Sequence, residues 1–186
     1  MTMQTYLTQI LAELQTTLPG VAAEPGDRLT EAIMEADKIF VSGAGRSGLV
    51  LKAFAMRLMH LGFQVHVVGE TTTPGITATD LLLIGSGSGT TSTLVVIANE
   101  ARRVGAKVAL ITSRTGSPIG QVADIVLTIP ASTPKVANPI YPQSIQPMGS
   151  LFEQVMLLTL DALILMLMAK TNLDSGAMFM RHANLE

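Results

Sequence analysis

Cysteine and tryptophan are absent, and two tyrosines and five phenylalanines are the only large aromatics in 186 residues. Without a thiol there can be no disulfide and no thiolate metal site, which suits a reducing compartment. The three histidines, His60, His66 and His182, stand far apart in the chain, so no metal is expected either. Charge is also scarce: Asp, Glu, Lys and Arg make up 14% of the residues, the net charge is −2, and basic residues form no run. A nucleic-acid partner, whose phosphates demand clustered cations, is not expected. Residues 1–15 lack the basic start and apolar run of a secretory leader, so the expected location is cytoplasmic.

What the chain has in quantity is apolar residues, 48% of the total, with a mean hydropathy of +0.44. That is ample for one core. With so little charge it also predicts apolar surface on the monomer, covered by other copies of the chain. The run Val155 to Ala169 has fifteen residues, short of a bilayer span. Asp161 at its middle would cost about 2.5 to 3.5 kcal/mol in lipid. The run therefore reads as a buried helix at a subunit interface, with no membrane partner. Asp161 would then need a polar partner, on another subunit, because an unpaired buried carboxylate is expensive.

The organising stretch is Ile39-Phe40-Val41-Ser42-Gly43-Ala44-Gly45-Arg46-Ser47-Gly48. A β-branched and aromatic apolar run breaks there into a glycine-serine turn, and apolar residues at helical spacing continue from Leu49 to Leu61. Such a strand-to-helix junction is an anion site. The first N–H groups of a helix lack internal acceptors and lie at the positive end of its dipole. Gly45 lets the backbone come close, while Ser47 and Arg46 add a hydroxyl and a fixed cation. The pattern repeats: Leu81-Leu82-Leu83-Ile84 runs into Gly85-Ser86-Gly87-Ser88-Gly89-Thr90-Thr91-Ser92. Two such loops at the carboxyl end of one parallel sheet could line a single site from both sides, with Ser47, Ser86, Ser88, Thr90 and Thr91 around a phosphate. Turn chemistry or helix capping is the competing explanation for each hydroxyl taken alone.

Elsewhere Leu7, Ile10, Leu11, Leu14 and Leu18 predict an amphipathic helix stopped by Pro19-Gly20. Asp27 is a candidate cap for a second helix to about Ala36, with Leu29, Ile33 and Met34 inward. His60 reads as a dipole-complementing residue at a helix end, and His66 as a packed or surface residue of a strand over 63–68. Further strands are expected at 107–112 and 125–129, with a helix over 91–104. Strands alternating with helices predict an α/β chain whose parallel sheet is covered on both faces. Prolines 130, 134, 139, 142 and 147 predict an irregular loop or lid over 131–147. The whole reads as a single domain over 1–186: amino-terminal helices at 4–36, sheet and loops at 38–130, the irregular loop, then carboxyl-terminal helices and tail at 148–186.

Gly43-x-Gly45-x-x-Gly48 with Glu70 downstream also matches a dinucleotide fingerprint. Against a nicotinamide site stand the helices ahead of the first strand, the hydroxyl-rich second loop, and the lack of chain for a substrate domain.

The two loops and their flanking helices resemble the sugar isomerase (SIS) domain family. The segment Gln146-Pro147-Met148-Gly149-Ser150-Leu151-Phe152-Glu153-Gln154 and the tail Arg181-His182-Ala183-Asn184-Leu185-Glu186 are similar to the 6-phospho-3-hexuloisomerase branch. The resemblance implies a three-layer αβα sandwich with a five-stranded parallel sheet of flavodoxin-like type, a homotetramer, and no cofactor or metal. It implies interconversion of D-arabino-3-hexulose 6-phosphate and fructose 6-phosphate in the ribulose monophosphate pathway of formaldehyde fixation. Arabinose 5-phosphate or sedoheptulose 7-phosphate isomerases, and non-catalytic sugar-phosphate sensors, share the loops.

Moving the carbonyl from C3 to C2 requires a base that takes the C2 proton and returns one to C3 through a cis-enediol. The resemblance gives that role to Glu153. Read locally, Ser150 could instead cap the helix with Glu153 as its third residue, a capping box unrelated to catalysis. His182 is the second candidate, to donate to the carbonyl or relay protons between O2 and O3, from its own or a neighbouring subunit. The alternative is an exposed tail residue.

Overall fold

The computed structural model describes residues 1–133, 141 and 143–185. Five strands, β1 (Ile39–Gly43), β2 (Val65–Val67), β3 (Leu81–Gly85), β4 (Lys107–Thr112) and β5 (Ile125–Thr128), form one all-parallel sheet in the order β2-β1-β3-β4-β5. The central strands are apolar on both faces because helices cover both. Ile39, Val41, Leu81, Leu83, Ala109 and Ile111 point to one core, and Phe40, Leu82, Ile84, Val108 and Leu110 to the other. The α/β sandwich expected from the alternation of strands and helices is thus present.

On the first face lie α1 (Met3–Thr17), α2 (Ala23–Glu35), α3 (Gly45–Leu61) and α6 (Ser150–Thr171), and on the second α4 (Ser92–Arg103) and the short α5 (Pro118–Val122). A last short helix, α7 (Ser175–Phe179), docks on α3. The order reverses between β1 and β3, so the loops after these two strands leave the same edge of the sheet and part to opposite faces, which opens a crevice between them.

Several expectations need correction. Helix α2 starts at Ala23, not at a cap by Asp27; Pro25 sits in its first turn, where a missing N–H costs nothing. Met34 faces out, and α5 is too short to leave a periodic signal in the sequence. His60 does stand in the last turn of α3, but it is buried at 3% exposure, and burial lowers its pKa below the usual histidine value. Helix α6 is longer than the apolar run, with 22 residues, and only one side of it is buried. Asp161 lies on its exposed side with Leu157, Leu158 and Leu165, so within one chain it needs no partner. By length and composition α6 could cross a bilayer, but Val155, Met156, Leu160, Leu163 and Leu167 pack into the core. Within the stretch 131–147, residues 134–140 and 142 lie outside the described residues.

Candidate active site

The carboxyl edge of the sheet carries a cleft of about 600 Å³ between the two glycine loops and the start of α6. The loop after β1 can turn this tightly only because position 48 is glycine: a Cβ there would run into the Gly43 carbonyl. In the loop after β3, Gly89 has φ +61 and lies against the Ser117 side chain.

Three helices begin at this cleft, α3 after Ala44, α4 after Thr91 and α6 after Gly149, and none has a side-chain cap. Away from the cleft, α1, α5 and α7 are capped by Thr2, Ser117 and Asp174, and α2 is uncapped. Three helix starts without a side-chain acceptor therefore meet at one cavity. Their dipoles add a positive field suited to an anion such as phosphate.

Of the residues singled out in the sequence, Gly45, Arg46, Ser47, Ser86, Ser88, Thr91 and Glu153 line the cleft. Thr90 does not; it is exposed, and its hydroxyl donates to Ser88 Oγ at 3.0 Å. Ser86 Oγ accepts the Gly89 N–H at 3.1 Å, so part of the second loop's hydroxyl capacity holds the loop itself.

Glu153 stands in the first turn of α6 with its side chain 15% exposed, and Oε2 lies 3.4 Å from Arg46 Nε. The capping box is not formed. Ser150 is already helical, the cap position is Gly149, and Ser150 Oγ donates to the Pro147 carbonyl at 2.7 Å. Ser150 Oγ also accepts from Arg46 Nη1 at 2.9 Å. Arg46 thus spans from the first loop to the start of α6, and the Glu153 carboxylate is left facing the cavity.

His182 lies elsewhere. Its ring stacks on His60 at a centroid distance of 5.4 Å and on Phe179 at 5.9 Å, while the neighbouring Arg181 donates to the His60 carbonyl. His60 ends the helix that Arg46 begins. At a rise of about 1.5 Å per residue, α3 puts roughly 21 Å between them. Within one chain, Glu153 and His182 belong to opposite edges of the sheet.

Thr133, Met148, Ser150 and Phe152 also line the cleft, though the sequence did not mark them as ligand-facing. Thr133 Oγ1 is buried with no hydrogen-bond partner among the described residues, and its methyl packs where a Cβ on Gly87 would stand. Nothing in its local sequence signals this, since the contact joins segments far apart in the chain.

A model of the SIS domain family matches residues 32–166. A protein of Bacillus subtilis named 3-hexulose-6-phosphate isomerase is 48% identical, over 97% of each chain. One of the same name from Mycobacterium gastri is 44% identical, over 97% of this chain and 89% of its own. A crystal structure from Methanococcus jannaschii, for which the molecular function of 3-hexulose-6-phosphate isomerase was inferred, superposes with a TM-score of 0.79 at 36% identity, covering 88% and 87% of the two chains. The chain belongs to the SIS domain family and groups within it with the proteins named 3-hexulose-6-phosphate isomerase.

Proposed function

We propose that this protein is a 3-hexulose-6-phosphate isomerase that interconverts D-arabino-3-hexulose 6-phosphate and fructose 6-phosphate, in the cytoplasm, within the ribulose monophosphate pathway of formaldehyde fixation. The observation that carries the reading is the meeting of three uncapped helix N-termini on a cleft whose lining, among the described residues, holds one carboxylate, Glu153. Phosphate is held by the helix starts with Ser47, Ser86, Ser88, Thr90 and Thr91, of which Thr90 acts through Ser88. Glu153 takes the C2 proton and returns one to C3. Arg46, beside it, stabilises the enediolate charge, in a site where fixed charges need no reorganisation.

Moving a hydroxyl proton from O2 to O3 needs a second group. We assign it to His182 of a neighbouring copy in a homotetramer. Supporting this is the apolar surface a single chain leaves uncovered: Tyr6, Leu7 and Leu11 on α1, Leu158 and Leu165 on α6, and Phe179 and Met180 beside the histidine itself. The single-domain reading of 1–186 fits this arrangement, with neither metal nor cofactor required.

The deciding experiment is a coupled assay for fructose 6-phosphate using enzymatically made 3-hexulose 6-phosphate, with and without EDTA. Turnover insensitive to EDTA is expected. Turnover only of arabinose 5-phosphate or sedoheptulose 7-phosphate would move the substrate, and tight binding without turnover would make the chain a sensing module.

A further inference from the structure

We propose that Glu13 is a positioning residue for the isomerisation: from α1, outside the cleft, it holds residues 144–146, which lead into the cleft wall at 147–149 and on into α6. The proposal rests on the isomerase reading for its kinetic consequences, but its geometry stands apart from it.

Glu13 is out of place by the pattern of its own helix. Positions 10, 13, 14, 17 and 18 form the inner stripe of α1, where Leu14 and Leu18 pack on the core and Thr17 is buried. A carboxylate on such a stripe is costly unless it is paired. Among the described residues, the partners of its carboxylate come from one short segment. Oε1 accepts the Ile145 N–H at 2.7 Å, and Oε2 accepts Ser144 Oγ at 2.8 Å and Gln146 Nε2 at 2.9 Å. Ser144 Oγ in turn accepts the Gln146 N–H at 3.0 Å, which closes the turn on itself. Burial alone would raise the Glu13 pKa, but the bonds from Gln146, Ile145 and Ser144 outweigh it and hold the carboxyl below its ordinary value of 4.5. The group is charged at neutral pH and its bonds are charge-assisted.

The turn leads directly into the active-site wall. Pro147, Met148 and Gly149 line the cleft. Met148 has φ 59, a left-handed conformation that a residue with a side chain keeps only when its surroundings impose it. The Pro147 carbonyl accepts from both the Ser150 N–H and the Ser150 hydroxyl, the same hydroxyl that receives Arg46, which stands against Glu153. Displacing residues 144–146 therefore moves the acceptor that orients Ser150, and through Ser150 and Arg46 it disturbs the base.

Glu13→Ala removes all three bonds at once. The expected result is a loss of about tenfold or more in kcat/KM, with KM rising, in a protein that remains folded. Glu13→Gln keeps an acceptor for Ile145, and the Gln146 amide can turn to meet the new NH₂. It should recover to within about threefold of the parent. Ser144→Ala and Gln146→Ala test the same contact from the other side without touching α1, and they should repeat the KM effect more weakly should Glu13→Ala fail to fold. Hydrogen exchange of the Ile145 amide, read without substrate, should be slow in the parent and fast in Glu13→Ala. If Glu13→Ala merely melts at a lower temperature with KM and kcat intact, or if the Ile145 amide is equally unprotected in the parent, the proposal is wrong. A parent chain with no isomerase turnover but a protected Ile145 amide would sink the functional reading and leave the latch standing, so the two failures are distinguishable.

Discussion

The two edges of the sheet handle charge in opposite ways. At the amino edge, Asp80 is fully buried and accepts from the Lys38 N–H and ammonium and from the Thr77 N–H and hydroxyl. Asp124 accepts the Val108 N–H and the Arg102 guanidinium, and Lys107 pairs with Glu35. These side chains tie the start of one strand to another or to a helix end. At the carboxyl edge, among the described residues, Arg46 and Glu153 face a cavity beside three uncapped helix starts. Groups with saturated partners hold the fold, and groups aimed at open space with capacity to spare are available for a ligand.

The sharpest test of this contrast is Glu153→Gln, which cannot accept a proton at neutral pH. Turnover should fall about 10²-fold or more while fructose 6-phosphate binding and the melting temperature barely change. A variant that stays active but melts lower would put Glu153 among the structural charges.

His182 sits at the wrong edge for its assigned role and could break the comparison. His182→Ala should cost about tenfold or more in turnover. Mixing and reassembling it with Glu153→Gln should restore part of the activity, because some sites then pair an intact glutamate with an intact histidine from different copies. No recovery in mixed oligomers would confine His182 to its contact with His60.

Asp80→Ala should do the reverse of Glu153→Gln, costing about 2 kcal/mol of stability with turnover per folded molecule unchanged. Its pH dependence has a defined sign. Burial alone would raise the Asp80 pKa, but the Thr77 and Lys38 bonds overcome it and hold the carboxyl below its ordinary 3.8. That stabilisation is complete above 3.8 and fades as the pH drops through the lowered folded value, so Asp80→Asn should remove this part of acid unfolding.

The smallest effects separate the two loops. Ser47→Ala and Ser86→Ala should each weaken phosphosugar binding by about 1 kcal/mol, because the backbone N–H groups remain. Only Ser86→Ala should also lower the melting temperature, since its Oγ holds the Gly89 N–H. Equal melting behaviour in titrations with fructose 6-phosphate would erase the distinction.

The sequence by itself determined the strands, both glycine loops and the helix that starts near Glu153, because each depends on local periodicity and turn chemistry within a dozen residues. It also marked most of the cleft lining, since a glycine-serine turn between strand and helix has few other uses. It left the fate of Glu153 open between cap and base. Tertiary structure removed the capping box: Arg46 reaches Ser150 across 104 residues of chain and bonds a hydroxyl already committed to the Pro147 carbonyl. Tertiary structure alone also brought the start of α6 to the other two helix starts, set His182 against His60 at the far edge, and gave Glu13 its partners more than 130 residues away. In every case the reason is the same. Local propensity acts along the chain, whereas the place of a charge depends on which distant segment the reversal in strand order and the two cores bring against it.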